Sequence, residues 1–196
     1  MDIGSLTWAT LAVLALSGCS HSTASNPGND LSQGVAADLS GDLATTSGNP
    51  GTITGTVAGK TFGTVMTALW IDGTDTATNA VVYVFDKTTA CGDISAAGWD
   101  VTGPLSSTQH LEMKTFNQTP ATFTVVTHAL GAGQANASYT FGAGGDTVGT
   151  AGTVTLASLV AGGAATGSFD VTSFGSTANH LSGTFDAVFC STGVEP

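Results

Sequence analysis

From residue 50 onward, apolar and polar positions alternate in short runs separated by glycine or by Asn, Asp and Ser. "GTITGTVAGKTFGTVMTALWID" predicts a hairpin turning at Ala58-Gly59-Lys60. "AVVYVF" is a continuous apolar run, as expected of a strand covered on both faces. "HLEMK" alternates, placing Leu111 and Met113 on one face and His110, Glu112 and Lys114 on the other. "ATFTVVT", "ASYTF" and "TVTLAS" predict further strands between Gly-rich turns. "GSFDVTSF" and "GTFDAVFC" echo one another. Their alternation turns Phe169 with Val171, and Phe185 with Ala187 and Phe189, toward a core. The segment "GSTANH" between them predicts an antiparallel pair. Helical periodicity is absent. About nine strands at this spacing predict an all-β fold, an antiparallel β-sandwich first and a closed β-barrel second.

The N-terminal pattern is different. Residues 6–16, LTWATLAVLAL, are mostly apolar, too short a run for a transmembrane helix and right for the apolar region of a signal peptide. It ends in Leu16-Ser17-Gly18-Cys19, which resembles the lipobox of bacterial lipoprotein precursors. The resemblance implies that the Cys19 thiol receives diacylglycerol, the signal is cut just before it, and the new amine is acylated. The alternative is an ordinary secreted protein in which Cys19 is incidental. Acyl chains contribute about 0.8 kcal/mol per buried methylene, so two or three on one cysteine hold a domain at a bilayer. Ser20, rather than Asp, follows the cysteine. In Gram-negative lipoproteins that implies export to the outer membrane.

Three segments follow: a signal peptide over residues 1–18, a lipidated tether over 19–50, and a β-domain over 51–196. The tether is rich in Ser, Asn, Gly and Asp and keeps no period of 2 or 3.6. Gly34 and Gly41 weigh against an amphipathic helix through Leu31, Leu39 and Leu43.

Charge narrows the partners. The 196 residues include 3 Lys or Arg and 14 Asp or Glu, a net charge of -11. Nucleic acid and anionic membrane surfaces are therefore poor partners. Membrane association is expected through the lipid alone, with an envelope glycan or protein as the remaining partner class. With Cys19 assigned to lipid, Cys91 and Cys190 form an even pair and predict a disulfide in an exported domain. The stretch "GTVTLASLVAGGAATGSFDVTSFGSTANHLSGTFDAVFC" is also similar to the C-terminal end of a broad group of predicted bacterial lipoproteins. The matching positions are Gly152, Val154 and Leu156, then residues 167–170, then Gly183, Phe185, Ala187 and Cys190. That likeness implies a compartment and no reaction.

Candidate chemistry is sparse. The loop "CGDISAAGWDVTGP" holds Trp99 between Asp93 and Asp100, an arrangement suited to stacking on a sugar ring and hydrogen-bonding its hydroxyls. Trp70, Tyr83 and Tyr139 are further aromatic candidates. The competing role for each is to close the end of a core. Asp72, Asp75 and Asn79 offer oxygens to calcium, but Asx-rich loops also turn for their own reasons. "GTVAGKT" misses the phosphate-loop spacing by one residue, and "FGAGGDTVG" is a single imperfect copy of a Gly/Asp repeat; both predict turns. His110, His128 and His180 lack metal-ligand spacing and read as solvated strand positions. There is no G-x-S-x-G. No cofactor or metal is implied, and no base, nucleophile and electrophile assemble into a catalytic set. The expected role is therefore non-enzymatic, structural or interactive, at the cell envelope. A carbohydrate- or ligand-binding module is the alternative.

Overall fold

The computed structural model describes residues 48–73, 79–97, 108–128, 130–142 and 145–191. Among these the chain forms strands β1 (Gly51–Val57), β2 (Lys60–Thr61), β3 (Thr67–Asp72) and β4 (Ala80–Phe85), then helix α1 (Cys91–Ala97). Strands β5 (Gln109–Thr115), β6 (Ala121–Val125), β7 (Gln134–Phe141) and β8 (Asp146–Val148) follow. The last three are β9 (Ala151–Leu159), β10 (Ala165–Thr172) and β11 (His180–Phe189).

All eleven strands belong to one sheet, and eight of them close a barrel in the order β3-β4-β5-β7-β6-β9-β10-β11 and back to β3. The all-β reading holds, but the sandwich gives way to its alternative, the barrel. Closure depends on β11, which pairs antiparallel with β10 along its length and parallel with β3 at Val188↔Leu69 and Phe189↔Trp70. β6 and β7 form a second parallel pair, so the sheet is mixed. Strand β1 lies along the first half of β11, from Thr56↔His180 to Gly51↔Phe185, outside the closed ring.

Local chemistry sets the elements. The β1–β2 hairpin turns through Ala58 (φ 51°) and Gly59 (φ 75°), two consecutive left-handed residues as a type I′ turn requires. The β10–β11 pair forms as its sequence echo predicts, with Gly167 opposite Phe185 and Phe169 opposite Gly183. Phe169, Val171, Phe185 and Ala187 are all buried, and Phe189 is partly buried against the same core.

Period-2 alternation separates the faces. Ala80, Val82, Val84, Leu111, Met113, Phe123, Val154, Leu156, Phe169 and Phe185 fill the barrel interior. Outside, much of β1, β9, β10 and β11 presents hydroxyls, with cross-strand contacts Thr52–Thr184 (3.1 Å), Thr54–Ser182 (3.1 Å) and Ser158–Thr166 (2.7 Å). An apolar inside and a hydroxyl-rich outside is the reverse of a barrel whose outer wall faces lipid.

One sector departs from this. The outward side chains Leu69 and Ile71 of β3 and Val81, Tyr83 and Phe85 of β4 form a second apolar cluster with Ile94 of α1 and Cys190. That is why "AVVYVF" is apolar at every position: one face of β4 lines the barrel and the other lies in the outer cluster.

Candidate functional site

The disulfide joins Cys91, the first residue of α1, to Cys190, the residue just past β11, with 5.3 Å between their Cα atoms. It closes a 99-residue separation. In the chain-entropy account a loop of that size contributes about 4–5 kcal/mol of stability.

Of the residues expected to bind sugar, Asp93 and Trp70 are among the described residues. Trp99 and Asp100 lie outside the described residues, as do Cys19 and Asp75. Asp93 is committed to the helix: its Oδ2 accepts from the Ala90 N–H at 2.9 Å, and its own N–H donates to the Ala90 carbonyl at 3.0 Å. This is the back-reaching half of a capping box at α1. Trp70 is fully buried, its ring against Phe189 (4.6 Å between centroids) and its Nε1 donating to the Gly163 carbonyl at 2.7 Å. It is core and offers no face to a ligand, because β3 is a barrel strand whose Trp70 points inward. Tyr83 and Tyr139 are likewise buried. The Asp72 carboxylate accepts from Gln118 Nε2 at 2.7 Å, and the same amide donates to the Asn79 carbonyl, so this corner is cross-braced by an amide.

His110 corrects the solvated-strand reading. Its side chain does point outward, but it is buried against Phe85 (5.5 Å) and Tyr83 (6.5 Å). Nδ1 lies 3.1 Å from the Thr108 carbonyl, which can only accept, so the ring proton sits on Nδ1. Burial pushes its pKa below the ordinary value. His180 is the half-exposed member of a 2.9 Å pair with Asp170 across β10 and β11.

The most chemically distinctive arrangement lies at one end of the barrel, where β4 ends, β5 begins and β7 ends. Tyr139 is buried inside, ringed by Phe141 (4.7 Å), Phe62 (6.0 Å) and Phe174 (6.2 Å). Among the described residues its hydroxyl closes no hydrogen bond of good geometry, although Gln109 lies close enough to act on it. Burial first, then the negative charge of nearby Asp86, pushes the phenol up to about 12, while Gln109 pulls the other way. The hydroxyl therefore stays protonated, a donor beside an amide and a carboxyl.

Gln109 also holds the neighbouring backbone. Its Oε1 accepts from the Gly63 N–H at 3.1 Å, and its Nε2 donates to the Thr61 carbonyl at 3.4 Å. These contacts tie the β2–β3 connection across the barrel end, where Phe62 and Val65 enter the core. A further bond from the Met66 N–H to the Phe85 carbonyl, 2.9 Å, fastens its far side. Asp86 lies against Gly63, and burial raises its carboxyl pKa over the opposing effects of its backbone hydrogen bonds, Lys87 and His110.

Sequence reading passed over Asp86 and Gln109, although the signal was present. Each sits two residues beyond an inward-facing position, Asp86 after Val84 and Gln109 before Leu111, so the strand period runs on to them. Among the described residues no three His, Cys, Asp or Glu side chains cluster as metal ligands. Tyr139 can donate a hydrogen bond to a bound acceptor beside the Asp86 carboxyl and the Gln109 amide. Comparison with protein-family models, curated proteins and solved structures finds no match.

Proposed function

We propose that this chain is a lipid-anchored cell-envelope protein of the outer membrane, held through Cys19, whose barrel has a structural or interaction role rather than an enzymatic one. The observation that carries this reading is the cysteine arithmetic. Cys91 and Cys190 satisfy one another, which leaves Cys19 as the odd cysteine, at the end of Leu16-Ser17-Gly18. A disulfide suits an exported protein, and a barrel with a hydroxyl-rich outer wall suits one that needs a separate anchor. Fractionation tests it: wild-type protein sediments with membranes, and Cys19→Ala moves to the soluble fraction. Membrane retention of the variant would refute the anchor.

A second reading, a ligand-binding module, is favoured by the buried hydroxyl of Tyr139, a donor without a well-formed acceptor among the described residues, at the end of an eight-stranded barrel. Native mass spectrometry of protein purified from the envelope tests it. A bound mass lost on Tyr139→Phe supports this reading, and bare protein in both forms rejects it.

A further inference from the structure

We infer that α1 is a redox-sensitive cap, clamped by the Cys91–Cys190 disulfide over an apolar patch on the outside of the barrel and released when a dithiol reduces that bond. The inference stands apart from the lipid anchor.

The patch is the exception in the outer wall. Leu69, Ile71, Val81, Tyr83 and Phe85 project away from the barrel interior, yet none is more than 2% exposed. Elsewhere outward positions such as Thr52, Ser168 and Asp170 are exposed. Leaving five large apolar side chains on the outer face of two neighbouring strands would create a sticky surface. Ile94 of α1 and the disulfide itself contribute to their cover.

The cover is weakly built. Helix α1 has seven residues, well below the length at which a helix persists by itself in water. Its cap is internal, Asp93 to Ala90, and does not bind it to the barrel. Just ahead of it, the Thr89 N–H donates to Thr67 Oγ1 at 3.1 Å. Among the described residues, the covalent tie from Cys91 to Cys190 and the packing of Ile94 in the outer cluster are what hold the helix against the barrel. The interior core packs separately from it, because the two clusters use opposite faces of the same strands.

The chemistry balances with a dithiol as reductant. One of its thiolates attacks the sulfur of Cys91, the more exposed partner, and Cys190 leaves as a thiolate that takes a proton. The second thiol of the reductant then attacks the mixed disulfide and expels Cys91, which is protonated in turn. The protein gains two electrons and two protons, and the reductant becomes a disulfide.

Hydrogen-exchange mass spectrometry of the full chain, with and without dithiothreitol under native conditions, tests this, alongside binding of an apolar fluorescent dye. Reduction should speed exchange in the 91–97 peptide at least tenfold and raise dye fluorescence, while β9, β10 and β11 stay protected. Reoxidation should reverse both. The double variant Cys91→Ser, Cys190→Ala should show the released state without reductant. Unchanged exchange in 91–97 would overturn the proposal, and so would loss of protection in all strands together, which would make the disulfide a global brace.

Discussion

The ring of Phe185 lies against Gly167 on the neighbouring strand, so close that a Cβ on that glycine would sit 2.4 Å from Phe185 Cζ. Two positions along, the relationship is reversed: Phe169 lies over Gly183, with its Cζ 3.0 Å from where a Cβ would be. The repeated Gly-x-Phe of the two strands is thus one packing unit used twice. Antiparallel pairing brings each phenylalanine opposite the other strand's glycine, and the missing side chain makes room for the ring.

Gly167→Ala is expected to destabilise the fold by about 1–3 kcal/mol or more, since an added methyl in a packed core forces strain. Besides the Phe185 ring, the new Cβ would meet the Thr155 carbonyl oxygen at 2.0 Å. Gly92→Ala is the matched contrast. It lies in α1, with nothing within 4 Å of its Cβ position and no positive φ, so alanine should stabilise by about 0.5–1 kcal/mol. Urea unfolding of both variants checks the pair, and equal effects would contradict the packing account.

Tyr139→Phe should leave stability unchanged or raise it. The substitution keeps the ring contacts with Phe62, Phe141 and Phe174 and removes a buried donor whose unmet hydrogen bond costs about 1–3 kcal/mol. A clear loss in denaturant midpoint would mean that the hydroxyl has a partner in solution.

Two groups give opposite pH signatures. The pKa of His110 is lowered by burial, so its contribution is present above the ordinary value of 6.5 and is lost as pH falls through the folded value. Asp86 is raised, so its contribution is complete below its ordinary 3.8 and is lost as pH rises through the folded value. His110→Gln should flatten the fall in melting temperature on acidification below pH 6.5. Asp86→Asn should raise the melting temperature at neutral pH and have little effect at the acidic end. Parallel melting curves for wild type and both variants across pH would contradict these assignments.

Most strands were legible in the sequence from alternation or, for β4, from a bounded apolar run, and so was the β1–β2 turn at Ala58-Gly59. Strand β8 was not, since Asp146–Val148 falls in a Gly/Asp stretch read as a turn. Barrel closure was not. Sandwiches and barrels share the same alternation, and the deciding contacts, such as Phe189↔Trp70, join positions more than a hundred residues apart. His110 was read with the right facing and the wrong exposure, since alternation says which way a side chain points and not what lies over it. Helix α1 was invisible for a related reason. Cys-Gly-Asp-Ile-Ser-Ala-Ala has no helical periodicity of its own, and tertiary attachment at Cys91 supplies what its propensity lacks. The Cys91–Cys190 pair, by contrast, followed once the lipobox resemblance set Cys19 aside.

The central claim is that Cys19 is the first residue of the mature chain and carries the membrane anchor. Mass spectrometry of the N-terminal peptide of protein purified from the envelope addresses it directly. The account predicts a peptide starting at Cys19, heavier by a diacylglycerol and an amide-linked acyl chain, and no such species from Cys19→Ala. A wild-type N-terminal peptide that begins elsewhere, or that begins at Cys19 with a free thiol, would contradict it.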